Sequence, residues 1–126
     1  MALKKIRLEM ARTPKFPEGN PRCGYEFTAP LDEAGKLDAV NWAATKSQCS
    51  VHRFSDDADD EHGVLLHHRG KWVVSYRAGE EDDEPIFRFD SHVFRPGEYV
   101  SVTEHDGKTY PFRIVSVHPV LTAKAH

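Results

Sequence analysis

Tyr99-Val100-Ser101-Val102-Thr103-Glu104-His105-Asp106-Gly107-Lys108-Thr109-Tyr110-Pro111-Phe112-Arg113-Ile114 is the stretch that decides how the chain is read. If Asp106-Gly107 formed a two-residue turn, Val100 would face Arg113 and Ser101 would face Phe112, leaving both faces of the hairpin mixed. A three-residue loop, His105-Asp106-Gly107 with Gly107 left-handed in a bulge, instead pairs Val100 with Phe112 and Val102 with Tyr110. Val100, Val102, Tyr110, Phe112 and Ile114 then share one face, and that register is the expected one. Val115 and Val117 have the opposite parity to Phe112 and Ile114, which predicts a strand covered on both sides or changing layer there.

The same period of two appears upstream. Ile6, Leu8 and Met10 alternate with Lys5, Arg7 and Glu9, predicting a half-buried strand over residues 4–11. Thr13-Pro14-Lys15-Phe16-Pro17-Glu18-Gly19-Asn20-Pro21 cannot supply the donors of a ladder and reads as an irregular loop. Cys23, Tyr25, Phe27 and Ala29 then alternate with Gly24, Glu26 and Thr28, giving a second strand. Further strands are expected over residues 48–54, 63–69, 72–77, 85–94, 98–104 and 108–118. A three-residue loop at Arg69-Gly70-Lys71 would align Val64, Leu66, Trp72, Val74 and Tyr76 on the inner face.

Only residues 37–46 carry helix grammar. Asp38 serves as N-cap, and Leu37 and Trp42 stand at the positions of a hydrophobic staple. The helix is expected to dock through Val40 and Trp42, as a plug closing one end of a barrel rather than a lid. About eight strands at hairpin spacing with one short helix define the fold class: mainly β, a small antiparallel β-barrel or strongly bent β-sandwich. The whole chain, residues 1–126, is expected to be a single β-barrel-like domain, since 126 residues is an ordinary domain length.

Composition narrows the function classes. No run approaches the ~20 apolar residues of a membrane-spanning helix, and the basic start Met1-Ala2-Leu3-Lys4-Lys5-Ile6-Arg7 lacks the apolar region of a signal peptide. No membrane association is therefore expected, and a cytoplasmic location follows, with Cys23 and Cys49 as reduced, partly buried thiols. Through Phe54 there are nine Lys/Arg against six Asp/Glu, and beyond it eight against fourteen. Much of the acidic excess sits in Asp56-Asp57-Ala58-Asp59-Asp60-Glu61 and Glu80-Glu81-Asp82-Asp83-Glu84. With a pI near 6.2 the chain lacks the cationic footprint that displaces counterions from phosphates, so a nucleic-acid partner is not expected.

Eight histidines are the most unusual compositional feature. His62 with His67-His68, or His52 and His92, together with Cys23 or Cys49, offer metal-ligand chemistry. Yet no Cys-x-x-Cys or helical His-x-x-x-His is present, and adjacent His67 and His68 on a strand point to opposite faces. No metal site is assigned, and surface or hydrogen-bonded histidines are the preferred reading. The run from Asp56 fails as a calcium loop: counted from Asp57, His62 falls where the tight-turn glycine belongs. No nucleophile elbow, phosphate loop or dinucleotide fingerprint occurs, so neither catalytic residues nor a cofactor are assigned. Cys49 precedes inward-facing Val51 and reads as core packing.

The best binding candidate lies in Pro85-Ile86-Phe87-Arg88-Phe89-Asp90-Ser91-His92-Val93-Phe94. With Phe87, Phe89 and Val93 inward, Arg88, Asp90 and His92 form a row on the other face. A cation, a carboxylate and an imidazole in line suit a polar or anionic ligand, although a cross-strand ion-pair ladder accounts for them more simply. Arg53 is the fourth candidate ligand-binding residue, with Arg7 and Glu26 as further neighbours on the polar face.

From Lys5-Ile6-Arg7-Leu8-Glu9-Met10-Ala11-Arg12, through Phe94-Arg95-Pro96-Gly97-Glu98-Tyr99-Val100-Ser101-Val102, to Phe112-Arg113-Ile114-Val115-Ser116-Val117, the chain resembles a family of small uncharacterised alphaproteobacterial proteins. The resemblance implies a bacterial cytoplasmic protein and transfers no activity and no functional residue. The leading expectation is a non-catalytic binding or protein-interaction module that meets a protein or a small polar ligand. The alternatives are a small enzyme or metal-dependent protein using His and acidic residues at a barrel mouth and, third, a nucleic-acid-binding β-barrel.

Overall fold

The computed structural model describes residues 3–14, 16–56, 60–68, 71–75, 93–103 and 108–120. Its elements are β1 (Leu3–Met10), β2 (Asn20–Pro30), α1 (Ala39–Thr45), β3 (Ser50–Phe54), β4 (Glu61–His68), β5 (Lys71–Ser75), β6 (Tyr99–Thr103) and β7 (Thr109–Pro119). Among the described residues seven strands form one antiparallel sheet in the order β5-β4-β3-β2-β1-β7-β6, curled into a half-barrel. The expected mainly β class therefore holds, as a single bent sheet with one short helix. The strand expected over residues 85–94 lies outside the described residues except for Val93 and Phe94, which are not in a strand.

The alternation in β1 does what its sequence demands. Ile6 and Leu8 are fully buried on the concave face, while Lys5, Arg7 and Glu9 line the convex one. β1 pairs with β2 on one side, Ile6 opposite Phe27 and Leu8 opposite Tyr25, and with β7 on the other, Ile6 opposite Val117 and Leu8 opposite Ile114. Both ladders are interrupted. The register shifts between Glu9 and Met10 against β2, and between Arg7 and Leu8 against β7. Such bulges bend a strand and increase its twist, which is how a flat ladder becomes a curved one. The second bulge also settles the parity of β7. Val115 is the extra residue, so Val117 returns to the concave side opposite Ile6 and packs on the core without a change of layer.

Inside the curve, Tyr25 meets Phe112 edge-on at 5.4 Å and Phe27 meets Phe94 at 5.9 Å. Phe94 reaches the core because its N–H donates to the Gly35 carbonyl at 2.8 Å, tying the segment before β6 to the turn after β2. Gly24 permits a second close approach: an added β-carbon would overlap the Leu8 carbonyl oxygen and touch the Phe54 ring. The β6–β7 hairpin has the expected register, Val100 opposite Phe112 and Val102 opposite Tyr110.

The β4–β5 hairpin does not. Leu65 pairs with Val74 and His67 with Trp72, so Leu65, Trp72 and Val74 are buried while Val64 and Leu66 are each 36% exposed. β3 imposes this parity. Cys49 and Val51 are buried, Val51 stands opposite Gly63, and the Leu65 N–H donates to the Cys49 carbonyl, which turns Leu65 inward. Tyr76 lies outside the described residues.

The helix begins as its sequence requires. The Asp38 carboxylate accepts from the Asn41 N–H at 3.1 Å, and that bond holds its pKa below the ordinary value. Trp42 enters the concave side, donates from Nε1 to the Leu65 carbonyl at 2.9 Å, and meets Trp72 edge-on at 5.8 Å. Val40, expected to dock beside it, is 81% exposed. Two residues subtend roughly 200° around a helix, so Val40 and Trp42 cannot face the same sheet. In urea denaturation Trp42→Ala is expected to lower the unfolding free energy by about 3–5 kcal/mol. Val40→Lys should change it by no more than about 0.5 kcal/mol; equal losses would contradict this placement of the helix.

Candidate functional site

Among the described residues a cleft opens where the β1–β2 ladder breaks. β2 contributes Cys23 and Gly24, the end of β3 Arg53 and Phe54, and β7 Tyr110 and Phe112, around a cavity of about 170 Å3. Met10 at the end of β1 and Thr13 and Phe16 from the loop after it complete the lining. That loop is ordered by its own bonds: the Phe16 N–H donates to both the carbonyl and the side-chain oxygen of Thr13 at 3.0 Å, and the Gly19 N–H returns to the Phe16 carbonyl. Gly19 sits at φ 82°, a backbone region that side-chain-bearing residues rarely enter.

Arg53 is the cation of this cleft. It stands opposite Tyr25, which places it on the concave side, and its Nη1 lies 3.4 Å from Glu61 Oε1. Arg7 and Glu26 are on the other face, so the expected grouping of these three residues is not formed. Arg88, Asp90 and His92 lie outside the described residues.

A polar cluster surrounds Cys23. Asn20 Nδ2 lies 3.4 Å from Cys23 Sγ and 3.3 Å from Asp56 Oδ2, and Cys23 Sγ is 3.5 Å from Asp56 Oδ1. Among the described residues no imidazole meets this half-buried thiol. Cys49 is different in kind: it is buried, its Sγ donates to the Thr45 carbonyl at 3.3 Å, and burial pushes the thiol pKa up. It packs the core, as its place in the sequence suggests.

The convex face of the described strands carries an ion-pair ladder. Arg7 Nε bonds Glu9 at 2.8 Å, its Nη1 reaches Glu26 at 3.4 Å, and its guanidinium lies over the Phe54 ring at 4.3 Å. Across β2 and β3, Glu26 stands opposite His52, and His52 opposite His62. The two imidazoles are stacked, centroids 4.6 Å apart and planes within 5°, and Asp60 accepts from His52 Nε2 at 2.9 Å. His67 points the other way, 4.4 Å from the Trp72 ring. Among the described residues no three His, Cys, Asp or Glu side chains are arranged to hold a metal ion, and no helix is long and apolar enough to cross a membrane.

Strand alternation identifies inward residues but carries no sign of a ladder break. Cys23, Phe16 and Tyr110 are therefore missed as one cleft; the local signal is Gly19-Asn20-Pro21, which interrupts pairing.

Fold and cleft together define the class: a curled antiparallel β-sheet domain with a small, aromatic-walled, cation-bearing opening at the mouth of its concave side. No protein-family model matches the chain, and no curated protein and no solved structure matches it significantly.

The hydrogen bond from His52 holds the Asp60 pKa below its ordinary 3.8. Its contribution to stability is therefore complete above that value and is lost as pH falls through the lower native one. Thermal melts from pH 6 down to about pH 2 should show Asp60→Asn less stable than the parent chain in the upper part of the range, the two converging at the acid end. A constant gap would contradict the pairing. The two thiols give a second check. In the native protein a thiol-exchange reagent should modify Cys23 and spare Cys49 until unfolding, and Cys23→Ser should abolish the native reaction.

Proposed function

We propose that the protein is a non-catalytic binding module of the bacterial cytoplasm whose concave-side cleft takes a small carboxylate ligand bearing one ring or a short acyl chain. The observation that carries this reading is Arg53, a half-buried cation between aromatic walls at the cleft mouth. A dry cavity near 150 Å3 accommodates a single benzene ring, and this cleft, at about 170 Å3, is of that size. Phe16, Phe54, Tyr110 and Phe112 supply the apolar surface that such a ring or chain buries. A guanidinium presents a planar fork matched to a carboxylate. The 3.4 Å contact with Glu61, partly exposed, holds Arg53 near the opening.

The reading is of a binder because Cys23, the one nucleophilic side chain in the cleft with a free thiol, has only Asn20, Ser55 and Asp56 as polar neighbours among the described residues. Activation of a thiol calls for a neighbouring base or cation bonded to it.

Benzoate and hexanoate are suitable probes in an amide-resonance titration of the full chain. Both should shift the resonances of Phe16, Arg53 and Tyr110, and Arg53→Met, which keeps the apolar stem, should weaken binding by about tenfold or more, as loss of a hydrogen bond to a charged group predicts. Benzamide should bind the parent chain about as weakly as benzoate binds the variant. Absence of any shift at millimolar probe, or equal affinity of parent and variant, would contradict the proposal.

A further inference from the structure

We propose that a second site, on the convex face between Arg12, Arg113 and Tyr99, binds a phosphorylated planar ring of the nucleoside monophosphate class. This site is separate from the cleft; only Met10 touches both. It is a groove of about 490 Å3 whose rim is the Gly19-Asn20-Pro21 turn, within the range of small-molecule pockets.

Register brings its parts together. Arg113 on β7 stands opposite Tyr99 on β6 and opposite Glu9 on β1, so tyrosine, guanidinium and carboxylate lie in one row across three strands. Directly opposed side chains start about 5 Å apart at Cβ. Two features make the row unlike a solvated ladder. Glu9, the natural partner of Arg113, is bonded to Arg7 at 2.8 Å, and neither Arg113 nor Arg12 makes an ion pair or hydrogen bond among the described residues. Tyr99, beside them, is 59% exposed, a large ring surface turned to water.

The chemistry follows from that inventory. With the Glu9 charge engaged by Arg7, the groove offers two guanidinium groups against Glu18 alone. Two forks match one phosphate monoester, which carries roughly −1.5 to −2 at neutral pH. The Glu18 carboxylate in the same groove repels the added charge of further phosphates, so the monophosphate is favoured over the triphosphate. The Tyr99 ring supplies a stacking platform, which every nucleobase can use. An uninterrupted nucleic-acid strand is disfavoured by the chain's net charge of −3.

Titration of the full chain with adenosine monophosphate, adenosine and inorganic phosphate, read by amide resonances of β6 and β7, tests the assignment. The monophosphate should bind about tenfold more tightly than either fragment. Arg113→Gln should weaken the monophosphate by about tenfold and leave adenosine unchanged, while Tyr99→Ala should weaken both. All three groove side chains are exposed, and unchanged melting temperatures of the variants confirm that folding is intact. The proposal is overturned if the monophosphate leaves Tyr99 and Arg113 unshifted at millimolar concentration, or if Arg113→Gln binds it like the parent. Affinity that grows with the length of a single-stranded oligonucleotide would also overturn it, in favour of a strand-binding surface.

Discussion

The structure depends on β1 being hydrogen-bonded along both edges. The first five strands form a meander that ends at β5, and the last two form a hairpin; among the described strands β1 is the one hydrogen-bonded to both, with β2 on one side and β7 on the other. Leu8 shows the consequence in one residue. It is fully buried because Tyr25 covers it from β2 and Ile114 from β7. Without that double pairing neither half has a second apolar surface to close on, and isolated hairpins are marginal in water.

Curvature comes from the places where the pairing of β1 slips. One bulge bends the ladder toward β2 and opens the cleft beside Cys23; the other inserts Val115 and returns Val117 to the core. The same irregularities that allow the sheet to wrap a core thus leave an opening near Arg53. On the outer face charge is organised in rows: Arg7 engages Glu9 and Glu26, and among the described residues Arg113 makes no ion pair beside Tyr99.

Legibility in the sequence follows from how one-sided each segment is. β1 and the β6–β7 hairpin alternate cleanly, so one register buries the apolar set and every other exposes it, and those elements match expectation. β4 and β5 carry Val64-Leu65-Leu66 and Trp72-Val73-Val74, apolar on both faces, and no local pattern chooses between them. The choice is made by the neighbouring strand through Cys49 and Val51, and by Trp42 covering Leu65 and Trp72. The helix cap at Asp38 was readable because capping is local, whereas the exposure of Val40 depends on which side of the helix meets the sheet. Arg53 was readable as a candidate but its face was not, since its parity is set by Tyr25 across the ladder. Arg88, Asp90 and His92 fall on residues outside those described.

Residue-resolved hydrogen exchange of the backbone amides in β1 tests the double pairing most directly. In a strand paired on one edge only, alternate amides face solvent and exchange quickly; in a strand paired on both, consecutive amides are protected alike. The account predicts slow exchange throughout Ile6, Arg7, Leu8 and Glu9, relieved only at the two bulges. A strict fast–slow alternation along β1 would mean that one of its two partners is absent and would contradict the fold described.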